Sequence, residues 1–327
     1  METISLSYPL TQHDIEVNGV PQTLAIGHFD GVHKGHQKVI SQAVEAAKRG
    51  GTRASVMTFH PHPKIVLGQG GKYYACLTPI EDKMDKFAEL GVDTAYVFRF
   101  DAEFASVTPG QFVEQVLRPL HVKKAVIGFD FRFGHRGQGT PEMLRTLGAS
   151  FMEVDIADPF HLDEEKVSST LVRARLASGN VAEAARLLGR PYRISGIVVH
   201  GDGRGRTIGF PTANISLSGS YVIPLFGVYA VVMHVDGIAR PGVMNIGIKP
   251  TFQPENEQPT PEVHLFDYTG DLYGRHVQID FCGFIRAEQK FASVQQLIDQ
   301  IENDALLARR MFANPGCNEP SVYKPDL

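Results

Sequence analysis

With 327 residues, 43% of them hydrophobic and 21% charged, the chain is long enough for two domains with real apolar cores. A net charge of −4 leaves no basic excess for a polyanion groove, so nucleic acid is not an expected partner. Three scattered cysteines (Cys76, Cys282, Cys317) with no CxxC argue against a disulfide scaffold, and no apolar run approaches the roughly 20 residues that span a bilayer. The N-terminal METISLSYPL lacks the basic and apolar regions of a signal peptide. The expectation is a cytoplasmic protein without a membrane partner, monomeric or weakly homo-oligomeric.

In chain order, TLAIG (23–27) reads as a buried strand. It is followed by a loop and by a helix over 37–51, with apolar Val39, Ile40, Ala43, Val44 and Ala47 and a Gly50-Gly51 stop. RASVMTF (53–59) is the next strand, 79–91 a helix, TAYVF (94–98) a strand, 110–117 a helix and KAVIG (124–128) a strand. Such alternation implies a parallel, doubly wound α/β sheet with right-handed crossovers. Ligands of such sheets sit beyond the carboxyl ends of the strands. Three loops rich in His, Arg and Gly fall there: 27–36, 60–63 and 129–139.

From 192 onward the texture changes. YRISGIVVH, GVYAVVMHVDG, EVHLFDY and HVQIDFCGF read as strands joined by turns such as Asp236-Gly237 and Thr269-Gly270, and a helix over 293–310 closes the chain. This half predicts a compact antiparallel barrel with a terminal helix. The expected domains are 1–187 and 188–327.

Six stretches carry chemistry-bearing residues. In GHFDGVHKGHQ (27–37), His33 and His36 bracket Gly35 where a helix begins. Unpaired N–H groups there favour phosphate, and two imidazoles on one turn can donate to phosphoryl oxygens. A metal site built from His28, His33, His36, His60 and His62 is the rival reading, although the i, i+4 His pair with an intervening Glu is absent. In TFHPHP (58–63), prolines stiffen a strand exit, and Phe59 with the imidazoles offers flat surfaces for an aromatic ligand. GFDFRFGHRGQG (128–139) sets Asp130 among aromatics, with Arg132 and Arg136 as phosphate candidates or as solvated arginines.

In SSTLVR (168–173), Ser168, Ser169 or Thr170 caps a helix, and with Arg173 makes a second phosphate clamp if that cap faces the rim. HGDGRGRTIGFPTANI (200–215) suggests a backbone cradle or a flexible hairpin. It is neither a Walker A loop nor a dinucleotide fingerprint, and Thr212 and Asn214 supply oxygens suited to Mg²⁺. In PEVHLFDY (261–268), alternation puts Glu262 and His264 on one face. There Glu262 is either solvated or placed to deprotonate an attacking hydroxyl.

Taken jointly and in order, these motifs resemble bacterial bifunctional riboflavin kinase/FMN adenylyltransferases. The likeness runs over roughly 20–310 and includes SSTLVRARLASGNVAEAARLLGRPY, GFPTANI, GVMNIGIKPTF, LYG and FASVQQLIDQI. The resemblance implies an HxGH nucleotidyltransferase-like domain that transfers AMP from ATP to FMN, giving FAD and pyrophosphate. It also implies a six-stranded kinase barrel that phosphorylates riboflavin. FMN and FAD are then substrate and product rather than permanent cofactors, and Mg²⁺ accompanies ATP.

By the same resemblance, His33 and His36 act on the ATP phosphates and Glu262 is the kinase base. Gly27, Phe29, Asp30, Gly35, Ser169, Thr170, Arg173, Gly203, Gly205 and Gly209 contact nucleotide. Phe59, His62, Pro63, Asp130, Phe131 and Asn245 contact flavin, and Thr212 and Asn214 hold the metal. The sequence departs from the family at His28 (commonly Asn), His60 (commonly acidic), Leu171 (often Arg) and in the Pro-rich stretch 254–262.

Overall fold

The computed structural model describes residues 1–69, 74–201, 203–248 and 259–313. The chain divides into two compact units, Met1–Ser169 and Thr170–Leu327. In the first, six strands form one parallel sheet: β1 (Glu2–Leu6), β2 (Gln22–Ile26), β3 (Arg53–His60), β4 (Thr94–Arg99), β5 (Val122–Gly128) and β6 (Glu153–Ala157). Their order is β1-β4-β3-β2-β5-β6, the doubly wound arrangement expected from the strand–helix alternation. The helices are α1 (Gln12–Asn18), α2 (Lys34–Gly50), α3 (Ile80–Glu89), α4 (Ala102–Ala105), α5 (Pro109–Phe112, running on through residues 113–117) and α6 (Pro141–Gly148).

Alternation along the strands sorts side chains by size onto two faces. Leu24, Ile26, Met57, Phe98 and Ile127 join one apolar cluster with Phe104, Phe112 and Phe133. Ala25, Val56, Ala95 and Val126 face the other way, and their small side chains let α2 lie close with Ile40, Ala43 and Val44. Burying each larger side chain contributes roughly 1.5–3 kcal/mol. α2 ends at Gly51 in the left-handed conformation, φ +61, the stop that the Gly50-Gly51 pair announces.

This strand order has a switch point between β2 and β5. The chain leaves β2 toward β3 on one side, and reaches β5 on the other side only from β4. A crevice therefore opens beyond the carboxyl ends of β2 and β5, where ligands of such sheets bind. A small hairpin, β7 (His161–Leu162) with β8 (Glu165–Lys166), follows β6.

The second unit begins at Thr170, within helix α7 (Ser169–Ala177), and continues with α8 (Val181–Leu188). The division lies earlier than the 187/188 boundary read from the sequence because these helices pack on the barrel. Gly179 sits against Leu225 and Phe284, and α8 against two barrel strands, β9 (Tyr192–Val199) and β14 (His276–Ala287). The other strands are β10 (Ala213–Leu217), β11 (Gly227–Val235), β12 (Ile238–Ile248) and β13 (Pro259–Leu265), and α9 (Arg204–Thr207) is a single turn. All six close into an antiparallel barrel in the order β10-β13-β12-β11-β14-β9, and α10 (Val294–Ala313) packs on β11, β12 and β14. Tyr192, Tyr229 and Phe281 are fully buried among the largest core side chains. The β11–β12 hairpin turns at Asp236 and Gly237, both at positive φ, as the Asp-Gly pair predicts.

Candidate active sites

The first site grows from the β2–α2 loop. His33 is the N-cap of α2, and its Nδ1 accepts the His36 backbone N–H at 3.3 Å. A neutral His33 with an accepting Nδ1 carries its proton on Nε2 and is a donor there. The His33 and His36 rings stack with centroids 3.6 Å apart and 20° between planes. Gly35 makes room for that stack, since a Cβ there would come within 3.1 Å of the His33 ring. Phe29 is buried edge-on against His36 and Phe87. A Cβ on Gly27 would strike the Phe29 ring at 2.8 Å.

Side chains from distant segments hold the rest of the loop. Asp30 is buried and its Oδ1 accepts the N–H groups of Leu77 and Thr78, at 2.9 and 3.2 Å, which ties that segment to the loop. Ser169 Oγ donates to the Asp30 carbonyl at 2.8 Å. Thr170 and Arg173 continue along α7 and belong to the second compact unit. Burial first, then the positive charge of Lys83 and the neighbouring His62 and His36, holds the His28 imidazole well below its ordinary 6.5, so it is neutral at pH 7. Among the described residues no group of three or more His, Cys, Asp or Glu is arranged to hold a metal ion.

Beyond the loop lies a cavity of about 360 Å³ at the switch point. Gly27, His28, Phe29 and His36 line one end, and Phe59, Pro63, Asp130 and Phe131 line its walls, together with Arg132 and Arg136. Phe131 stacks on Phe133 at 5.7 Å, and Phe59 on Phe104 at 6.0 Å. Asp130 is held by Lys166 of the β7–β8 hairpin at 2.9 Å. His62 is not a wall residue: it packs against His28, ring centroids 3.9 Å apart, and its Nδ1 accepts the Lys64 N–H. Sequence reading missed Phe100, Phe104, Phe112 and Phe133, which complete the aromatic lining from three separate segments.

The second site lies on the barrel. Glu262 of β13 stands opposite Asn214 of β10 on one side and Asn245 of β12 on the other, so these three occupy one cross-strand row. Val263 and Leu265 are buried while Glu262 and His264 are half-exposed, the alternation predicted for this strand. Glu262, Asn245, Thr212, Gly205 and His264 line a cavity of about 310 Å³, closed on one side by Leu297 and Ile301 of α10. Arg286 and buried Asp304 fasten α10 to the barrel at 2.8 Å.

Thr212 also borders a second, more polar cavity of about 410 Å³ with Arg206, Tyr268 and Tyr273, so it stands between the two. Gly203 and Gly209 in the glycine-rich loop adopt φ of +68 and +88, a conformation that favours glycine. Asp202 of that loop and residues 249–258, including most of the Pro-rich stretch before Glu262, lie outside the described residues.

Comparison with known proteins bears on both sites. The FAD synthetase family model matches residues 17–171, and the riboflavin kinase family model matches residues 188–312. A bifunctional riboflavin kinase/FMN adenylyltransferase of Bacillus subtilis is 44% identical over 96% of this chain and 99% of its own length. Its counterpart in Escherichia coli K12 is 43% identical, covering 88% and 92%. A solved structure from Streptococcus pneumoniae, described as a macrolide-efflux protein, superposes with TM-score 0.84 at 34% identity, over 94% of this chain and 99% of that one. Among the described residues no helix is long and apolar enough to cross a membrane. With the parallel-sheet unit and the barrel each matched in order and nearly end to end, the chain belongs to the bifunctional riboflavin kinase/FMN adenylyltransferase family.

Proposed function

We propose that the barrel cavity beside Glu262 binds riboflavin and the switch-point cavity beside His33 and His36 binds FMN. As a member of its family the chain makes flavin cofactors in two ATP-dependent steps, riboflavin to FMN and FMN to FAD. In the first, Glu262 takes the proton of the riboflavin 5′-hydroxyl, whose oxygen attacks the γ-phosphorus of ATP while the bond to ADP breaks. Asn245 orients the flavin, and Gly203, Gly205 and Gly209 shape the loop that accepts the nucleotide phosphates. Thr212 and Asn214 present the neutral oxygens that suit Mg²⁺, which would neutralise phosphate charge there. The position of Thr212 between two cavities fits a residue placed where nucleotide and acceptor meet.

In the second step an FMN phosphate oxygen attacks the α-phosphorus of ATP and pyrophosphate departs. His33 and His36, at the positive end of α2, stabilise the charge that builds on phosphorus, and no covalent enzyme intermediate is required. Phe59, Pro63, Phe131 and Asp130 hold the flavin, with Gly27, Gly35, Phe29, Asp30 and Ser169 keeping the loop in shape. The observation that carries this reading is His36, stacked on His33, lining an aromatic-walled cavity at the switch point. A product time course with riboflavin, ATP and Mg²⁺ tests it: FMN appears first and FAD follows, whereas accumulation of FMN alone overturns the adenylyl assignment.

A further inference from the structure

The peptide joining His28 to Phe29 is gripped from behind. Its carbonyl oxygen accepts from Thr58 Oγ1 and from Lys83 Nζ, both at 2.9 Å. Thr58 is fully buried and Lys83 is 3% exposed, and neither is among the residues lining the switch-point cavity. A buried ammonium is costly to keep, and burial draws the Lys83 amine down from its ordinary value, with Asp30 and Cys76 opposing that shift. A buried lysine bonded to a main-chain carbonyl calls for a reason beyond packing.

The reason lies on the other side of the same peptide. The unit is planar, so the Phe29 N–H points opposite to the carbonyl that Lys83 and Thr58 hold. His28 and Phe29 both line the cavity, next to His36. Hydrogen bonding at a carbonyl, above all from a cation, polarises the peptide and strengthens its N–H as a donor. The loop also needs holding: Phe29, Gly31 and Val32 sit at φ of +52, +87 and +41, and such backbone persists only where its surroundings over-determine it. Ser169 holds the Asp30 carbonyl and the Asp30 carboxylate is tied to Leu77 and Thr78, while the Lys83–Thr58 pair holds the His28 carbonyl.

We propose that Lys83 and Thr58 form a clamp on the His28 carbonyl that positions the Phe29 N–H, as a donor to phosphoryl oxygen, for adenylyl transfer. They are positioning residues that touch no substrate. The proposal rests on the adenylyl-transfer reading of this site. It differs from simple loop support in requiring the hydroxyl and the amine themselves, and in acting on turnover more than on ATP binding.

The test uses the full-length chain, with riboflavin phosphorylation by the barrel as an internal control. Thr58→Val, Thr58→Ser, Lys83→Met and the Thr58→Val/Lys83→Met double variant are assayed for FAD formation from FMN and ATP. We expect kcat to fall about tenfold in T58V and about a hundredfold in K83M, as for loss of one neutral and one charge-assisted hydrogen bond. The KM for ATP should stay within about twofold, and T58S should keep near-normal kcat. The double variant should lose less than the product of the singles, because the two donors share one acceptor.

Wild-type kcat in T58V, or a T58S as impaired as T58V, would overturn the clamp. So would variants whose loss is confined to thermal stability. If K83M does not fold, the T58V/T58S pair decides alone. A wild-type chain that makes no FAD at all contradicts the adenylyl reading itself, a result distinct from active wild type with unaffected variants.

Discussion

Glu262 and Asn245 stand directly opposite each other across the β13–β12 pair, and both border the barrel cavity. Directly opposed residues point to the same face of a sheet, so a carboxylate and an amide are delivered side by side by strand register alone. Replacing Asn245 with isosteric Leu should remove a flavin hydrogen bond, worth about 1 kcal/mol, and leave the base in place. The expected outcome is a KM for riboflavin raised several-fold with little change in kcat, read from initial rates of FMN formation. Adenylyl transfer from supplied FMN should be unaffected.

Gly35 separates helix stability from chemistry. In the first turn of α2, Gly→Ala should favour the helix by roughly 0.5–1 kcal/mol. Yet the new Cβ would press within 3.1 Å of the His33 ring and displace it from its stack on His36. Gly35→Ala should therefore fold normally and lose adenylyl transfer by about tenfold or more, if the histidines act as oxyanion-type donors. Circular dichroism melting alongside FAD formation checks both halves of that expectation.

Away from both sites, Asp280 of β14 joins Arg193 of β9 (2.6 Å) and His234 of β11 (2.9 Å) on the barrel. Burial alone would raise the Asp280 carboxyl, but the hydrogen bonds from Arg193 and His234 outweigh it and hold the group below its ordinary 3.8. A depressed folded-state pKa contributes stability that is present above the unfolded value and is lost as pH falls through the folded one. Asp280→Asn should thus lower unfolding stability by about 2 kcal/mol at pH 7. The gap from wild type should close as pH drops below about 4. Urea midpoints between pH 3 and pH 7 measure it.

The sequence reveals those parts whose local chemistry agrees with their final surroundings. The β2–α2 loop is legible because a strand, a capping residue and a helical apolar stripe follow one another within a few residues. The barrel strands β9, β11, β13 and β14 are legible from alternation. The edge strands β1 and β6 are not: their exposed, polar positions such as Glu2, Thr3, Glu153 and Asp155 dilute the apolar signal. The aromatic wall escapes because Phe100, Phe104, Phe112 and Phe133 look like ordinary core residues until β4, β5 and their helices meet at one rim. Asp30 sits three residues from His33 and invites a phosphate role, while the fold uses its carboxylate to secure Leu77 and Thr78. Lys83 carries no signal of its own within the helix expected over 79–91, and only the packing of α3 shows it buried.

One chain carries both family domains, and the proposed function gives Glu262 to one site and His36 to the other. The direct measurement gives each single variant both substrates in turn and separates the products by chromatography. Glu262→Gln should form FMN from riboflavin roughly 10²–10⁴ times more slowly, yet convert supplied FMN to FAD at the wild-type rate. His36→Ala should phosphorylate riboflavin normally and stop at FMN, with FAD formation down by about 10²–10³. Loss of both activities in either correctly folded variant, or of neither, would rule out that division of labour.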